Sequence, residues 1–166
     1  MREQLSKPHV LIVEGDISIG MLIEHVLSNH GYKTTLLADG LEARNYIDEQ
    51  PAPDLVLIDL ASPFVPGYDL LEQIAMAGSG WEDTPVILTS MKTSESEVVR
   101  GLEAGAADFI TKPFRIDELV ARVRRNVRRG KPTNLFHGGD NRSIKSGYER
   151  PRLVADNTLR LSFASC

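Results

Sequence analysis

The stretch Leu55-Val56-Leu57-Ile58 is apolar at every position and runs straight into Asp59. Four residues are too few for a helix, and a strand with one wet face would alternate polar with apolar side chains. A run without alternation fits a strand covered on both faces, as in a parallel sheet with helices above and below. The rest of the chain is laid out to match. Short strand-like runs at His9–Val13, 33–38, 85–89 and 107–111 alternate with segments whose apolar residues recur at helical spacing.

The first of these segments starts at Ile17, places Ile19, Leu22, Ile23, Val26 and Leu27 on one face, and stops at Gly31. Leu41, Ala43 and Ile47 predict an inward stripe in Gly40–Glu49, and Leu70, Leu71 and Ile74 predict a third helix after the turn at Pro66-Gly67. Val98, Val99 and Leu102 mark a fourth that stops at Gly105, and Ile116, Leu119, Val120, Val123 and Val127 a fifth. Five strands alternating with five helices predict an α/β fold. The expected form is a flavodoxin-like (βα)5 doubly wound parallel sheet of order 2-1-3-4-5, because parallel strands need crossover helices and crossovers are right-handed.

In open sheets of this kind, chemistry gathers at the C-terminal ends of the strands, near the point where strand order reverses. Glu14, Asp16 and Asp59 would meet there, and three carboxylates together call for a cation. One or two carboxylates with waters and a phosphate suit Mg2+. Lys112, just past the fifth strand, brings an ammonium into the same crevice, and Thr89 brings a hydroxyl. An acidic nucleophile, a cation site, a lysine and a hydroxyl donor are the parts of phosphoryl transfer to a carboxylate.

Composition narrows the function classes. Hydrophobic residues make up 42% and charged residues 25% of the 166, as in ordinary globular chains. No apolar run approaches the roughly 18–20 residues of a membrane span, and the polar start is unlike a signal peptide, so a cytoplasmic protein without membrane partners is expected. The one cysteine, Cys166, excludes an intrachain disulfide or a cysteine-rich zinc site. Charge is divided: residues 1–121 carry 8 Lys and Arg against 20 Asp and Glu, and residues 122–166 carry 11 against 3.

The segments Val10-Leu11-Ile12-Val13-Glu14, Asp54-Leu55-Val56-Leu57-Ile58-Asp59-Leu60, Pro85-Val86-Ile87-Leu88-Thr89-Ser90 and Gly105-Ala106-Ala107-Asp108-Phe109-Ile110-Thr111-Lys112-Pro113-Phe114, in this order, resemble bacterial two-component response-regulator receiver domains. The resemblance implies that Asp59 accepts a phosphoryl group from a sensor histidine kinase. Glu14, Asp59 and the carbonyl of Ala61 would then hold Mg2+, Thr89 and Phe109 would act as the switch pair, and Lys112 would bind the phosphoryl oxygens. It implies a signalling phosphoacceptor rather than an enzyme. The chain departs from the family at Gly15, where a second adjacent acid usually supplies a direct metal ligand. Asp16 is either its replacement, with weakened Mg2+ binding, or the cap of the following helix.

Residues 114–125 look most like regulators that carry a winged-helix DNA-binding domain. In that subfamily the fourth helix, fifth strand and fifth helix form a homodimer face, to which Arg100, Asp108 and Arg122 are candidate contributors. The division expected is a receiver at 8–129, a linker at 130–152 and a tail at 153–166 that resembles the start of a truncated effector. DNA binding would require a complete effector. The rival readings are a truncated transcription regulator and a pseudo-receiver that binds a partner without phosphorylation.

Overall fold

The computed structural model describes residues 6–92 and 94–130, with side chains through residue 127. The linker and tail expected at 130–152 and 153–166 lie outside the described residues, apart from the backbone of residue 130. The element order is β1 (His9–Val13), α1 (Ile17–Asn29), β2 (Lys33–Leu37), α2 (Gly40–Glu49), β3 (Leu55–Asp59), α3 (Gly67–Met76), a 3-10 turn (Trp81–Asp83), β4 (Val86–Ser90), α4 (Glu95–Glu103), β5 (Asp108–Thr111) and α5 (Ile116–Gly130). All strands are parallel and lie in the order β2-β1-β3-β4-β5. The expected fold is the fold found.

Alternation along the central strands sends side chains to opposite faces and makes two cores. Val10, Ile12, Leu55, Leu57, Ile87 and Ile110 pack with Ile23 and Leu27 of α1 and Leu119, Val123 and Val127 of α5. On the other face Leu11, Val13, Val56, Ile58, Leu88 and Phe109 pack with α2, α3 and Trp81. A buried aliphatic side chain stabilises by roughly 1.5–3 kcal/mol, so these two layers fix the sheet and with it the strand ends that carry the polar residues.

The apolar stripes were broader in the sequence than in the fold. Leu22, Leu41 and Ile116 are about half exposed; of the expected stripes α1 buries Ile23, Val26 and Leu27 and α2 buries Ala43 and Ile47, and the two helices also bury Gly20 and Gly40. The largest difference is in α4, where Val99 and Leu102 are exposed and the buried residue is Gly101. A Cβ on Gly101 would lie 2.8 Å from the ring of Phe109, so the helix backbone sits directly on that ring. The 3-10 turn at Trp81–Asp83 has too short a pattern to be read from periodicity; its Trp81 is buried and donates Nε1–H to the carbonyl of Gln50 at 3.1 Å.

Candidate functional site

The strands deliver Glu14, Asp59, Thr89 and Lys112 to one end of the sheet. Asp59 and Thr89 are register partners on β3 and β4. Glu14 follows β1 and Lys112 follows β5, on opposite sides of β3. All four side chains are buried.

Lys112 organises the carboxylates. Its Nζ donates to Glu14 Oε2 at 2.6 Å and lies 3.4 Å from Asp59 Oδ2, so one ammonium is shared between the two acids. Burial pushes the Glu14 carboxyl above its ordinary range, and the hydrogen bonds from Lys112 and from the Asp16 backbone oppose that rise. A buried pair of this kind needs every partner, because removing one leaves the other charged and desolvated. Asp59 Oδ1 accepts from the Ala61 N–H at 3.3 Å, and Thr89 Oγ1 donates to the Ile58 carbonyl at 3.5 Å.

A cavity of about 360 Å³ opens over Asp59, lined by Glu14, Gly15, Asp16, Ala61, Met91 and Lys112 among others. It is wide enough for a phosphoryl group with waters. The side chain of Asp16 is committed at the helix start, where Oδ1 accepts from the N–H groups of Ser18 and Ile19 at 2.9 and 3.1 Å. Of the two roles open to it in the sequence, the cap is the one seen; the residue still borders the cavity. Gly15 offers no side chain, and a Cβ there would meet Pro63 Cδ at 2.7 Å. Among the described residues no three His, Cys, Asp or Glu side chains converge as a metal-holding group. The oxygen donors at the cavity are of the kind that suits Mg2+.

Phe109 is buried beneath Gly101. Asp108 and Arg122 are joined within one chain at 2.7 Å, and Asp108 also receives Arg125 at 2.8 Å and the Asn126 amide at 3.3 Å. Arg100 lies 4.2 Å above the ring of Tyr68. Sequence reasoning missed Tyr68, Glu97 and Met91, which line a second cavity of about 280 Å³ beside Ala61. An aromatic residue one place after Gly67 was the available signal for Tyr68. Phe64, in the loop after Asp59, is 82% exposed and holds φ at 67°, a strained setting for a bulky residue of the sort that gathers near functional sites.

Comparison with known proteins agrees with this geometry. The family profile "Response regulator receiver domain" matches residues 10–124. The DNA-binding response regulator MtrA of Mycolicibacterium smegmatis is 38% identical over 136 residues, which are 81% of this chain and 58% of that protein. The response regulator MprA of Mycobacterium avium is 36% identical over 123 residues, 74% of this chain and 52% of that protein. The chain thus spans a little over half the length of these relatives. Among solved structures, the receiver domain of Francisella response regulator 1452 is 34% identical with a TM-score of 0.69, covering 75% of this chain and all of that one. The receiver domain of the sensor histidine kinase PA1611 of Pseudomonas aeruginosa, solved with a magnesium ion in its active-site cleft, is 28% identical with a TM-score of 0.66, covering 73% and 98%.

Proposed function

The chain belongs to the response regulator receiver domain family, and from this we propose that it accepts a phosphoryl group on Asp59 from a sensor histidine kinase. The observation that carries the reading is the buried Asp59 carboxylate beneath an open cavity, with the Lys112 ammonium 3.4 Å away. An Asp59 oxygen attacks phosphorus, the bond from phosphorus to the donor imidazole nitrogen breaks, and that nitrogen keeps the electron pair. Lys112 then turns from Glu14 toward the new phosphoryl oxygens, and the Thr89 hydroxyl, beside Asp59 on β4, donates to them.

Mg2+ would supply charge neutralisation during transfer, held by Asp59 and the Ala61 carbonyl with Glu14 and Asp16 bordering it through water. The Gly15 position predicts weaker metal binding than a second acid would give. Charge added at Asp59 then biases a two-state element around Thr89 and Phe109. Contact with a second copy through α4, β5 and α5 is the proposed readout: Val99 and Leu102 present apolar surface there, and Asp108 with Arg122 would enter that contact already paired. No helix among the described residues is long and apolar enough to cross a membrane. DNA binding, which the name of the MtrA relative states for that protein, is proposed here only for a longer protein with a complete effector.

Intact-mass measurement after incubation with acetyl phosphate tests the reading. A Mg2+-dependent gain of one phosphoryl group that is lost in Asp59→Ala is the expected result. Folded wild type that gains nothing at any Mg2+ concentration would overturn it. The second reading, a pseudo-receiver that binds without phosphorylation, is favoured by one observation, the tight Lys112 to Glu14 pair, which already engages the lysine that a phosphoryl group would need.

A further inference from the structure

Helix α4 is weakly held by its own sequence. Its one buried residue is a glycine, Val98 packs only partly against the core, and Val99 and Leu102 face out. A helix of nine residues is too short to persist on propensity alone, so its position depends on the few contacts it makes. Two of them converge on a single side chain from a different helix. The Tyr68 hydroxyl donates to Glu97 Oε1 at 3.0 Å, and the guanidinium of Arg100, one turn of α4 further on, lies 4.2 Å above the Tyr68 ring. Burial, and then the adjacent Glu97 carboxylate, raise the Tyr68 hydroxyl above its ordinary range.

Tyr68 is in turn fixed to the phosphoacceptor strand. It is the second residue of α3, and the residue before it, Gly67, lies so close to the end of β3 that a Cβ there would be 2.8 Å from Leu60 Cα and 3.0 Å from the Asp59 carbonyl oxygen. The Gly67 N–H donates to the Leu60 carbonyl at 3.3 Å. Backbone against backbone leaves no slack, so a change at the Asp59 loop must move the start of α3 or be resisted by it.

We propose that Tyr68 is a positioning residue for α4: it clasps Glu97 and Arg100 and ties the helix to the backbone beside Asp59. The clasp is a connection separate from Thr89 and Phe109, which reach α4 through β4, β5 and Gly101. The static clasp stands on these contacts alone. Its response to phosphorylation rests on the reading of Asp59 as phosphoacceptor.

Amide hydrogen exchange of the full chain tests both parts, with and without acetyl phosphate and Mg2+, in wild type, Tyr68→Leu, Tyr68→Phe and Glu97→Gln. Loss of one hydrogen bond to a charged group and one exposed cation–π contact should raise exchange in residues 95–103 about tenfold in Tyr68→Leu, with β3 and β4 unchanged. Tyr68→Phe, which keeps the ring under Arg100, should fall between, and Glu97→Gln, which keeps an acceptor, should stay near wild type. The difference that phosphorylation makes in 95–103 should shrink in Tyr68→Leu and return in Glu97→Gln. Equal exchange of α4 in Tyr68→Leu and wild type would overturn the clasp. An undiminished phosphorylation response in Tyr68→Leu would overturn its role in the switch. Wild type that takes up no phosphoryl group, checked by mass on the same sample, would refute the phosphoacceptor reading and the coupled role together, and leave the clasp to be judged by the unphosphorylated exchange.

Discussion

Helices α4 and α5 flank the same edge strand, β5, and are held in opposite ways. α5 buries Leu119, Val120, Val123 and Val127 against the sheet and receives a buried carboxylate, Asp108, on Arg122, Arg125 and Asn126. α4 buries a glycine over Phe109 and is tied at its surface by Tyr68. Apolar burial and a satisfied buried acid make a wall, whereas half-buried polar ties make an element that can be displaced at smaller cost. Under the proposed function, a phosphoryl group at Asp59 would add a local charge and a few hydrogen bonds, a change of the size that the second kind of helix would follow more readily than the first.

The largest expected contrast pits Leu119→Ala against Leu102→Ala. Leu119 is 1% exposed, so truncation should cost about 2–5 kcal/mol in denaturant unfolding, while Leu102, 45% exposed, should cost no more than about 0.5. Equal losses would show that the two helices are held alike. Asp108→Ala comes next, at about 1–3 kcal/mol, because it leaves the buried Asn126 amide with one bond, to the Arg122 carbonyl, removes the carboxylate that Arg125 meets, and leaves Arg122 with Glu118 alone. Amide exchange should then loosen α5 toward the behaviour of α4.

Gly101→Ala tests what α4 rests on. Helix propensity alone would gain about 1 kcal/mol, yet the new Cβ meets the Phe109 ring at 2.8 Å, so a net loss of about 1 kcal/mol is expected from overpacking. In a double-mutant cycle that loss should disappear in the Phe109→Ala background; additive effects would show that the ring is not what α4 rests on. The smallest effect belongs to Glu118→Gln, which breaks a half-exposed pair with Arg122 at 2.8 Å. A change of about 0.3–0.5 kcal/mol, vanishing at high salt, is expected, and anything larger would mean that α5 owes more to its surface charges than to its apolar face.

Much of the site was legible from residue order. Asp59 follows an unbroken apolar run, Thr89 and Lys112 close later strands, and alternation brings such ends together whatever the details of packing. What could not be read was how the side chains divide the available partners. Lys112 takes Glu14 at 2.6 Å although the two are 98 residues apart, and stands farther from Asp59. Asp16 had two roles open to it and is seen in the local one, since its own helix offers two N–H groups within three residues.

The sequence by itself determined the count and alternation of elements, the parallel sheet, and which acids, hydroxyl and lysine arrive at its functional end, because these follow from periodicity and strand ends, which are local properties. Only the tertiary structure decided which apolar residues of α4 are covered, that Phe109 lies beneath Gly101, and that Tyr68 joins Glu97 and Arg100. Periodicity tells which face of a helix is apolar; burial depends on what another part of the chain brings against that face. For α4 the neighbour was a ring that only a glycine could receive.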